Sequence, residues 1–470
     1  ETCLELAAEG REDLRCSRHV GVYLIGKGYP ILKAKIRKKK IPGTIVHKNG
    51  KSLWYGAFVT TALAAAYWLL FLLIGIRCNE PYQNILLLFA ATPIVIGIAV
   101  EVANSFFTRL IPVKKIPSMD YLTEIPDEAR TFVAMPVIIA SAEQGLEYLE
   151  RLHKHYLANR QPNLYFALLA DHADAPELAM PHDELITKAL VNRIHELNAR
   201  YPSERQIFSL FFRYRKWNES EGCFMCWERK RGKLEEFNAW LTGTPQDKTS
   251  FSLILTDKRL QGTFKYVITL DADSCLVRDS ASKLVGMIDH PMNRAVLDSD
   301  NKKVEEGYAI IQPSVRNHIN GRSSSAFPKI AGGQEGLVHY SSVISDIYQD
   351  VFQEGSYIGK GIYNIEAFHL ILHRQIPENR VLSHDLLESC YAKTAFTGAA
   401  NIMDDFPGTV LSFAKREHRW IRGDWQLLPW LLGRDALSRV SRWKIFDNMR
   451  RSLLPLCKVL FVILNLAFLP

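Results

Sequence analysis

The sequence has few charged residues and few cysteines for its length. Charged side chains make up 23% of the 470 residues and hydrophobic ones 47%, which excludes a disordered or collagen-like chain. The eight cysteines are scattered and no signal peptide precedes them, which argues against a disulfide framework. Cys223 and Cys226 form one C-x-x-C pair, but no second pair follows, so packing cysteines are favoured over a zinc site.

Internal repeats and low-complexity segments are also missing. A chain of this length can form several domains with a large buried core. It starts at Glu1 and stops at Pro470 within an apolar run. We therefore expect a segment of a longer protein.

Charge is absent from one long stretch. Residues 53–76 are a run of 24 without a charged side chain, and as a helix rising about 1.5 Å per residue they would cover the roughly 30 Å hydrocarbon core of a bilayer. Residues 84–103 predict a second transmembrane helix, with Pro93 inside it, because neighbouring helices can satisfy the carbonyl that a proline frees. Residues 453–469 predict a third, which contains Lys458.

Basic residues are concentrated on one side of these stretches. Eight lysines and arginines, and no acidic residue, occur from Lys33 to Lys51, whereas residues 77–83 carry one Arg and one Glu. By the positive-inside rule, the N-terminus and the long central region are cytoplasmic. The net charge of +8 is then mostly a topology signal, and no basic patch interleaved with aromatics indicates a nucleic-acid partner.

This pattern predicts four parts of the chain. They are a basic cytoplasmic segment over 1–52, two transmembrane helices over 53–103, a cytoplasmic domain over 104–452 and the start of a third, truncated transmembrane helix over 453–470.

The predicted cytoplasmic domain alternates apolar runs with amphipathic stretches. The runs predict strands at 130–140, 163–170, 207–214 and 263–270, and the amphipathic stretches predict helices at 142–157 and 182–200. Such alternation is typical of an α/β domain with a parallel sheet. Ligands of such a sheet bind at the carboxyl ends of its strands.

Two of the predicted strands end in aspartates. Asp171 and Asp174 follow one apolar run, and Asp271 and Asp273 follow another. A D-x-D pair can bind Mg²⁺ or Mn²⁺, which relieves the repulsion of the carboxylates and can neutralise a leaving diphosphate. Solvated turn aspartates that cap a helix are an alternative. A phosphatase with an aspartyl nucleophile is another, although Cys275 stands where that motif expects Thr or Val.

Two more polar motifs lie toward the C-terminus. Asp385 stands in a polar turn before an amphipathic stretch at 386–393, where it could also be a helix N-cap. Arg416 and Arg419 stand three residues apart with Trp420 adjacent, so a helix would place both arginines on one face. The alternative for this stretch is a helix lying on the membrane surface.

The order of these motifs resembles the processive inverting glycosyltransferases of the cellulose-synthase type. A strand-end Asp is followed by D-x-D, by another Asp about 110 residues later, by R-x-x-R-W about 30 residues further on and then by a membrane helix. In those enzymes a GT-A domain lies beneath a small transmembrane bundle. Arg416 departs from that superfamily, which usually has Gln at this position.

Longer motifs resemble the glycosyltransferase module of the cyclic β-1,2-glucan synthases, in which Arg is the usual residue at that position. The resemblance runs from about residue 17 to the end of the chain. Its motifs are SRHVGVYLI at 17–25, WERKRGKLEE at 227–236, DIYQD at 346–350, EGSYIGKGIY at 354–363, PEN at 377–379, LSHDL at 382–386 and HRWIRGDWQ at 418–426.

The resemblance implies a membrane-bound inverting enzyme that transfers glucose from UDP-glucose to a growing β-1,2-glucan. It implies a GT-A-type, Rossmann-like domain on the cytoplasmic side of a bacterial inner membrane, flanked by transmembrane helices, with Mg²⁺ or Mn²⁺ as cofactor. The implied partners are UDP-glucose, the lipid bilayer and a β-glucan acceptor. The family is thought to build this glucan on the protein itself, so Tyr340 or Tyr357 could be an attachment point.

The resemblance also implies roles for single residues. Asp385 would be the general base that takes the proton of the acceptor 2-hydroxyl, a role typically worth about 10²–10⁴ in rate. Asp271 and Asp273 would hold the metal against the diphosphate of the donor. The remaining substrate contacts would come from Asp171 or Asp174 on the uridine or ribose, Lys233 on the uracil or diphosphate, Arg416 and Arg419 on the leaving diphosphate, and Trp420 on the acceptor sugar.

Three other functions fit parts of the pattern. A cellulose-type synthase would make a β-glycan with another linkage. A membrane phosphatase would use Asp271 as its nucleophile and would not need Asp385. A catalytically inactive scaffold would only bind the nucleotide sugar.

Overall fold

A nine-stranded sheet forms the centre of the region between the second and third long apolar helices. The computed structural model of the protein describes residues 2–12, 14–37, 50–75, 80–201, 205–300, 303–317, 326–331, 345–373, 375–433 and 437–468. The strands of the sheet, in chain order, are β1 (Thr131–Ile139), β2 (Leu164–His172), β3 (Phe208–Arg213), β6 (Phe251–Leu255), β7 (Tyr266–Thr269), β8 (Cys275–Leu276), β11 (Ile310–Asn317), β12 (Gly361–Asn364) and β13 (Thr394–Asp404).

Their spatial order is β6-β3-β2-β1-β7-β12-β11-β13-β8. Strands β3, β2, β1 and β7 run parallel, as do β11 and β13, while β6, β12 and β8 pair antiparallel with their neighbours. Two small ribbons lie outside this sheet: β4 (Lys216–Asn218) with β5 (Cys223–Met225), and β9 (Val296–Leu297) with β10 (Val304–Glu306).

Helices cover both faces of the sheet. Those on one face are α6 (Ala142–Ala158), α7 (Asp183–Arg200) and α9 (Ser280–Asp289), and those on the other are α8 (Arg229–Leu241) and α12 (Ile365–Leu372). The same region contains α10 (Ala326–Ala331), α11 (Ile347–Phe352), α13 (Asp385–Ala392), α14 (Val410–Gln426) and α15 (Leu428–Leu432). Leu149 of α6 and Leu190 of α7 belong to one buried apolar cluster, and Phe237 of α8 and Phe368 of α12 belong to the other. Because both faces are covered, β1 and β2 read as continuous apolar runs.

The predicted α/β alternation is confirmed. The helix predicted at 142–157 is α6, whose N-cap Ser141 accepts a hydrogen bond from the Gln144 amide, and the helix predicted at 182–200 is α7. The strand predicted at 263–270 is shorter, because the hydroxyl and amide of Thr263 both bond to the Leu260 carbonyl in a turn before β7.

Within the described parts of the chain, three helices are long and apolar enough to cross a membrane: α4 (Gly50–Gly75), α5 (Pro81–Leu110) and α16 (Arg439–Phe468). Three short helices precede them: α1 (Thr2–Glu9), α2 (Val20–Leu24) and α3 (Tyr29–Ile36). The second and third apolar stretches belong to helices longer than predicted. The predicted boundary between residues 452 and 453 falls inside the continuous helix α16.

The first half of α16 packs against the domain through polar groups. Lys444 is buried and donates to the backbone carbonyls of Glu354, at 3.2 Å, and Gly355, at 2.7 Å. Further along, Arg450 bonds to Asp447 and also to the Pro93 carbonyl of α5, at 3.2 Å. This helix therefore contacts both the sheet domain and another apolar helix.

Candidate active site

The predicted aspartates lie at one edge of the sheet, where β1, β2 and β7 end. Asp171 is near the end of β2, and Asp271 follows β7 after one residue. Strands β2 and β7 flank β1 on its two sides. The parallel sheet thus brings these two carboxylates to the same edge, as the sequence predicted.

Asp171 lies inside this edge and has two cationic partners. Its side chain is 2% exposed, and its two oxygens accept from Arg213 at 2.8 Å each, with the Lys233 ammonium 3.0 Å away. Burial alone would raise the pKa of Asp171, but Lys233 and Arg213 hold it below its usual value. Lys233, 1% exposed, also donates to the Val137 carbonyl. Asp171 and Lys233, two residues predicted to contact UDP-glucose, are thus enclosed and paired with each other.

Asp174 is the outer residue of the same pair. It is exposed and forms an ion pair with Arg229 at 2.8 Å. Of the two aspartates after β2, Asp174 is therefore the one whose carboxylate a bound nucleoside could reach without disrupting the interior.

Asp271 is held between two lysines. The Lys230 ammonium lies 2.6 Å from one oxygen and the Lys360 ammonium 3.2 Å from the other. Burial would raise the pKa of Asp271, but these two cations lower it to about 2. Lys230 also donates to the Gly359 carbonyl at 2.9 Å. The D-x-D pair is thus joined to the turn of residues 359–361.

Asp273 and Asp404 lie beside the same Lys360 that contacts Asp271. The carboxylate of Asp404 is buried and accepts from Lys360 and, at 2.8 Å, from the Ser274 hydroxyl. Loss of solvent raises the pKa of Asp273, and the charges of Asp404 and Asp271 add to this, against the opposing effect of Lys360. Asp271, Asp273 and Asp404 therefore place three carboxylates around Lys360 at the sheet edge, and we call these three residues the acidic group.

The Asp385 carboxylate lies against Gly359, whose carbonyl shares Lys230 with Asp271. It is the first residue of α13; the N-cap is His384, whose side chain makes no capping bond, so the alternative N-cap role of Asp385 is wrong. Gly359 has φ of +82°, and a Cβ there would lie 2.5 Å from Asp385 Oδ1. Glycine is needed for this close approach. Oδ1 is buried and has no hydrogen-bond partner among the described residues.

Helix α14 packs on the turn that carries Asp385. A Cβ on Gly423 would lie 2.6 Å from the Ser383 Cβ, and the Gln426 side chain accepts from the Leu382 amide at 2.7 Å. The HRWIRGDWQ and LSHDL motifs are therefore in direct contact.

The first arginine of α14 lies over aromatic rings. The Arg416 guanidinium is 4.8 Å from the Trp420 ring centre, 5.5 Å from that of Phe406 and 5.7 Å from that of Phe413. Burial lowers the pKa of Arg416, against the attraction of Glu417, Asp273 and Asp404. Arg419 is exposed and Trp420 half-buried. Arg416 thus lies within electrostatic range of the acidic group.

Sequence reasoning missed Lys230, Lys360 and Asp404. Lys230 lies one helical turn before the predicted Lys233 in the same motif, and Lys360 lies between two glycines of the EGSYIGKGIY motif. Asp404 ends the 11-residue strand β13, so a strand-end signal like that of Asp171 was available for it. As for the suggested attachment points, Tyr357 is buried, and Tyr340 lies outside the described residues.

Comparison with known proteins supports the resemblance. Over 374 residues, 79% of the chain, the sequence is 41% identical to the cyclic beta-(1,2)-glucan synthase NdvB of Rhizobium meliloti (strain 1021). The chain spans 13% of the length of that protein. No protein-family model matches. Among solved structures, S. aureus TarS 1-349 gives a TM-score of 0.34 at 9% identity, covering 69% of this chain and 72% of that one.

Proposed function

We propose that the chain is the glycosyltransferase part of a cyclic β-1,2-glucan synthase, which transfers glucose from UDP-glucose to a growing β-1,2-glucan with inversion. The observation that carries the proposal is the convergence of separate motifs on one sheet edge. Lys230 links Asp271 to Gly359, Gly359 lies against Asp385, and the Asp385 turn packs on α14. The sequence similarity to NdvB supports the same assignment.

A divalent cation fits the acidic group. Asp271, Asp273 and Asp404 offer carboxylate oxygens, the hard ligands that Mg²⁺ and Mn²⁺ prefer. Asp271 and Asp273 would hold the ion, which supplies positive charge to the diphosphate of UDP-glucose. Lys230 and Lys360 lie beside the same carboxylates and would add positive charge at this place.

Asp385 would act as the general base. The oxygen of the acceptor 2-hydroxyl attacks C1 of the donor glucose and its proton passes to the Asp385 carboxylate, while the bond from C1 to the diphosphate breaks and UDP leaves with the electron pair. The new bond forms on the face opposite UDP, which gives the β configuration. Asp385 suits this role because its side chain is 26% exposed beside Gly359, and no lysine or arginine among the described residues forms an ion pair with it.

Helix α14 would serve the leaving group and the acceptor. Arg416 and Arg419 would meet the departing diphosphate with charge-assisted bonds. The half-buried ring of Trp420 would offer an apolar face to the acceptor sugar. Asp174 would contact the ribose or uracil, whereas Asp171 and Lys233 would support the sheet edge from inside.

The three apolar helices would place the chain in a bacterial inner membrane with its sheet domain in the cytoplasm. The domain division is then a basic segment, two spans, the GT-A-type glycosyltransferase domain and a third span. The partners would be UDP-glucose, the bilayer and the β-glucan acceptor, which the protein itself would carry during synthesis.

The test is glucose incorporation in membranes that contain the chain. We expect label from UDP-glucose to enter β-1,2-linked glucan with Mg²⁺ or Mn²⁺, to be lost with EDTA and to fall by about 10²–10⁴ in Asp385→Asn. Asp127→Asn is the matched control, because Asp127 makes only an exposed ion pair with Arg130 before β1.

Full activity in Asp385→Asn would contradict the role of the base. A product with another linkage would instead support a cellulose-type β-glycan synthase. Phosphate release from simple phosphoesters would support the phosphatase, although the two lysines on Asp271 leave it poorly placed as a nucleophile.

A further inference from the structure

Three metal-ligating side chains meet at the start of α13: the N-cap His384, and Asp385 and Glu388 of the first turn. The proposed reaction uses only Asp385. His384 Nε2, Asp385 Oδ1 and a carboxylate oxygen of Glu388 all lie within 4.8 Å of one another. His384 Nε2 is 3.5 Å from Asp385 Oδ1 and 3.7 Å from Glu388 Oε1. These separations are too long for good hydrogen bonds.

Two of these atoms are buried without a partner. His384 Nε2 and Asp385 Oδ1 make no hydrogen bond to any described residue. His384 is 7% exposed and Glu388 is 4% exposed. An unpaired polar atom in the interior costs free energy, so a ligand bound between these atoms would stabilise the protein.

The nearest cationic side chains are bound elsewhere. Lys230 bonds to Asp271 and the Gly359 carbonyl, and Arg231 bonds to Glu228 and to the Ile376 carbonyl. In the part of the chain that is described, no lysine or arginine forms an ion pair with Asp385 or Glu388. Neither carboxyl group therefore has a direct cationic partner among the lysines and arginines of the described residues.

We propose that His384, Asp385 and Glu388 form a divalent-cation site, separate from the Asp271 and Asp273 pair. Ligand atoms about 2.1 Å from a tetrahedral ion stand about 3.4 Å apart, close to the separations of 3.5 and 3.7 Å seen here. One imidazole with two carboxylates suits Zn²⁺ or Mn²⁺ better than Mg²⁺, which prefers oxygen ligands.

The role of this ion deepens the proposed glucosyl transfer and rests on it. Bound to Oδ1, the ion would fix the Asp385 carboxylate beside Gly359. An open coordination position would take the oxygen of the acceptor 2-hydroxyl and lower its pKa. The proton would then pass to the other carboxylate oxygen of Asp385 as the hydroxyl oxygen attacks C1 and UDP leaves.

The test measures Mn²⁺ binding to the whole chain in detergent, without nucleotide, by electron paramagnetic resonance. We expect a bound Mn²⁺ with ¹⁴N modulation from an imidazole ligand, distinct from any ion at Asp271 and Asp273, which offer only oxygen ligands. His384→Gln should remove the modulation, and both His384→Gln and Glu388→Gln should weaken binding of the modulated ion at least about tenfold. His373→Gln is the control and should keep the modulated signal, since His373 is paired with Glu235.

The absence of ¹⁴N-modulated Mn²⁺ at millimolar concentration would overturn the proposal, as would a modulated signal that survives in both glutamine variants. Thermal melting identifies any variant that does not fold, and in that case the other variant decides. Because no UDP-glucose is present, failure of this site is distinct from failure of the glucosyltransferase proposal, which the incorporation assay tests.

Discussion

At the scale of single residues, the two aspartates after β2 have different surroundings. Asp171 is buried between Arg213 and Lys233, and Asp174 forms only an exposed ion pair with Arg229. Breaking a buried ion pair leaves an uncompensated charge in the interior, whereas breaking an exposed one costs little. The two positions should therefore be separable by mutation.

We expect Asp171→Asn to lower the free energy of unfolding by about 3–5 kcal/mol, measured by denaturant titration in detergent. Asp174→Asn should lower it by at most about 1 kcal/mol but should raise KM for UDP-glucose about tenfold, because a charged hydrogen bond to the donor is lost. Equal stability of the two variants would contradict the enclosed position of Asp171.

Asp271 gives a pH dependence of known sign. Its ordinary pKa of 3.8 falls to about 2, because Lys230 and Lys360 outweigh the effect of burial. A carboxylate with a lowered folded pKa stabilises the protein above its unfolded pKa, and this stabilisation is lost as the pH falls through the folded pKa.

The difference in melting temperature between the native protein and Asp271→Asn should therefore be full above a pH of about 4 and should shrink toward pH 2. Calorimetry in detergent measures it. A difference that stays constant over this window would show that the two lysines do not act on Asp271.

At the scale of elements, the turn before β12 determines how closely the chain approaches α13. Gly359 has φ of +82° and faces the Asp385 carboxylate, whereas Gly262 has φ of +78° with nothing within 4 Å of its missing Cβ. The two glycines share a left-handed backbone conformation, and only Gly359 lies against a side chain.

We expect Gly359→Ala to lower kcat by about 10², since a displacement of the base by about 1 Å can cost this much. Gly262→Ala is the control and should leave kcat unchanged. Each variant should lose about 1 kcal/mol of stability from the strained backbone. A fall in kcat of the same size in both would mean that strain alone, and not contact with Asp385, matters.

The sequence predicted most of the helices and strands, but not which residues of different elements contact one another. Helices α6 and α7 and strands β1 to β3 follow from local apolar periodicity, which needs no tertiary information. Lys230 lies on α8, Lys360 directly precedes β12 and Asp404 ends β13. The two lysines meet at Asp271, and Asp404 reaches Lys360, only because the tertiary fold brings these elements to the end of β7. The resemblance indicated Lys233 and not Lys230, although both belong to one motif, and only packing shows that Lys233 is enclosed.

At the scale of the whole molecule, one buried arginine of α16 joins two of the long apolar helices. Arg450 and Asp447 of α16 have side chains 5% and 6% exposed, and Arg450 also bonds to the Pro93 carbonyl of α5. A Cβ on Gly97 would lie 2.9 Å from the Arg450 guanidinium. Gly97 therefore leaves the space that this contact needs.

Replacing Arg450 by Leu should lower the free energy of unfolding by about 3–5 kcal/mol, because Asp447 then remains buried without its partner. The double variant Asp447→Leu, Arg450→Leu should recover part of this loss. Thermal melting in detergent measures both, and a double variant less stable than the single one would contradict the argument.

The continuity of α16 has a mechanical consequence. A helix of 30 residues is about 45 Å long, and its first half holds the backbone of Glu354 and Gly355 through Lys444, just before the turn that faces Asp385. A tilt imposed on the apolar half of this helix would be transmitted to the half that holds Glu354 and Gly355. We therefore expect bilayer thickness to affect the proposed glucosyl transfer, so turnover in vesicles should change with acyl-chain length at constant substrate.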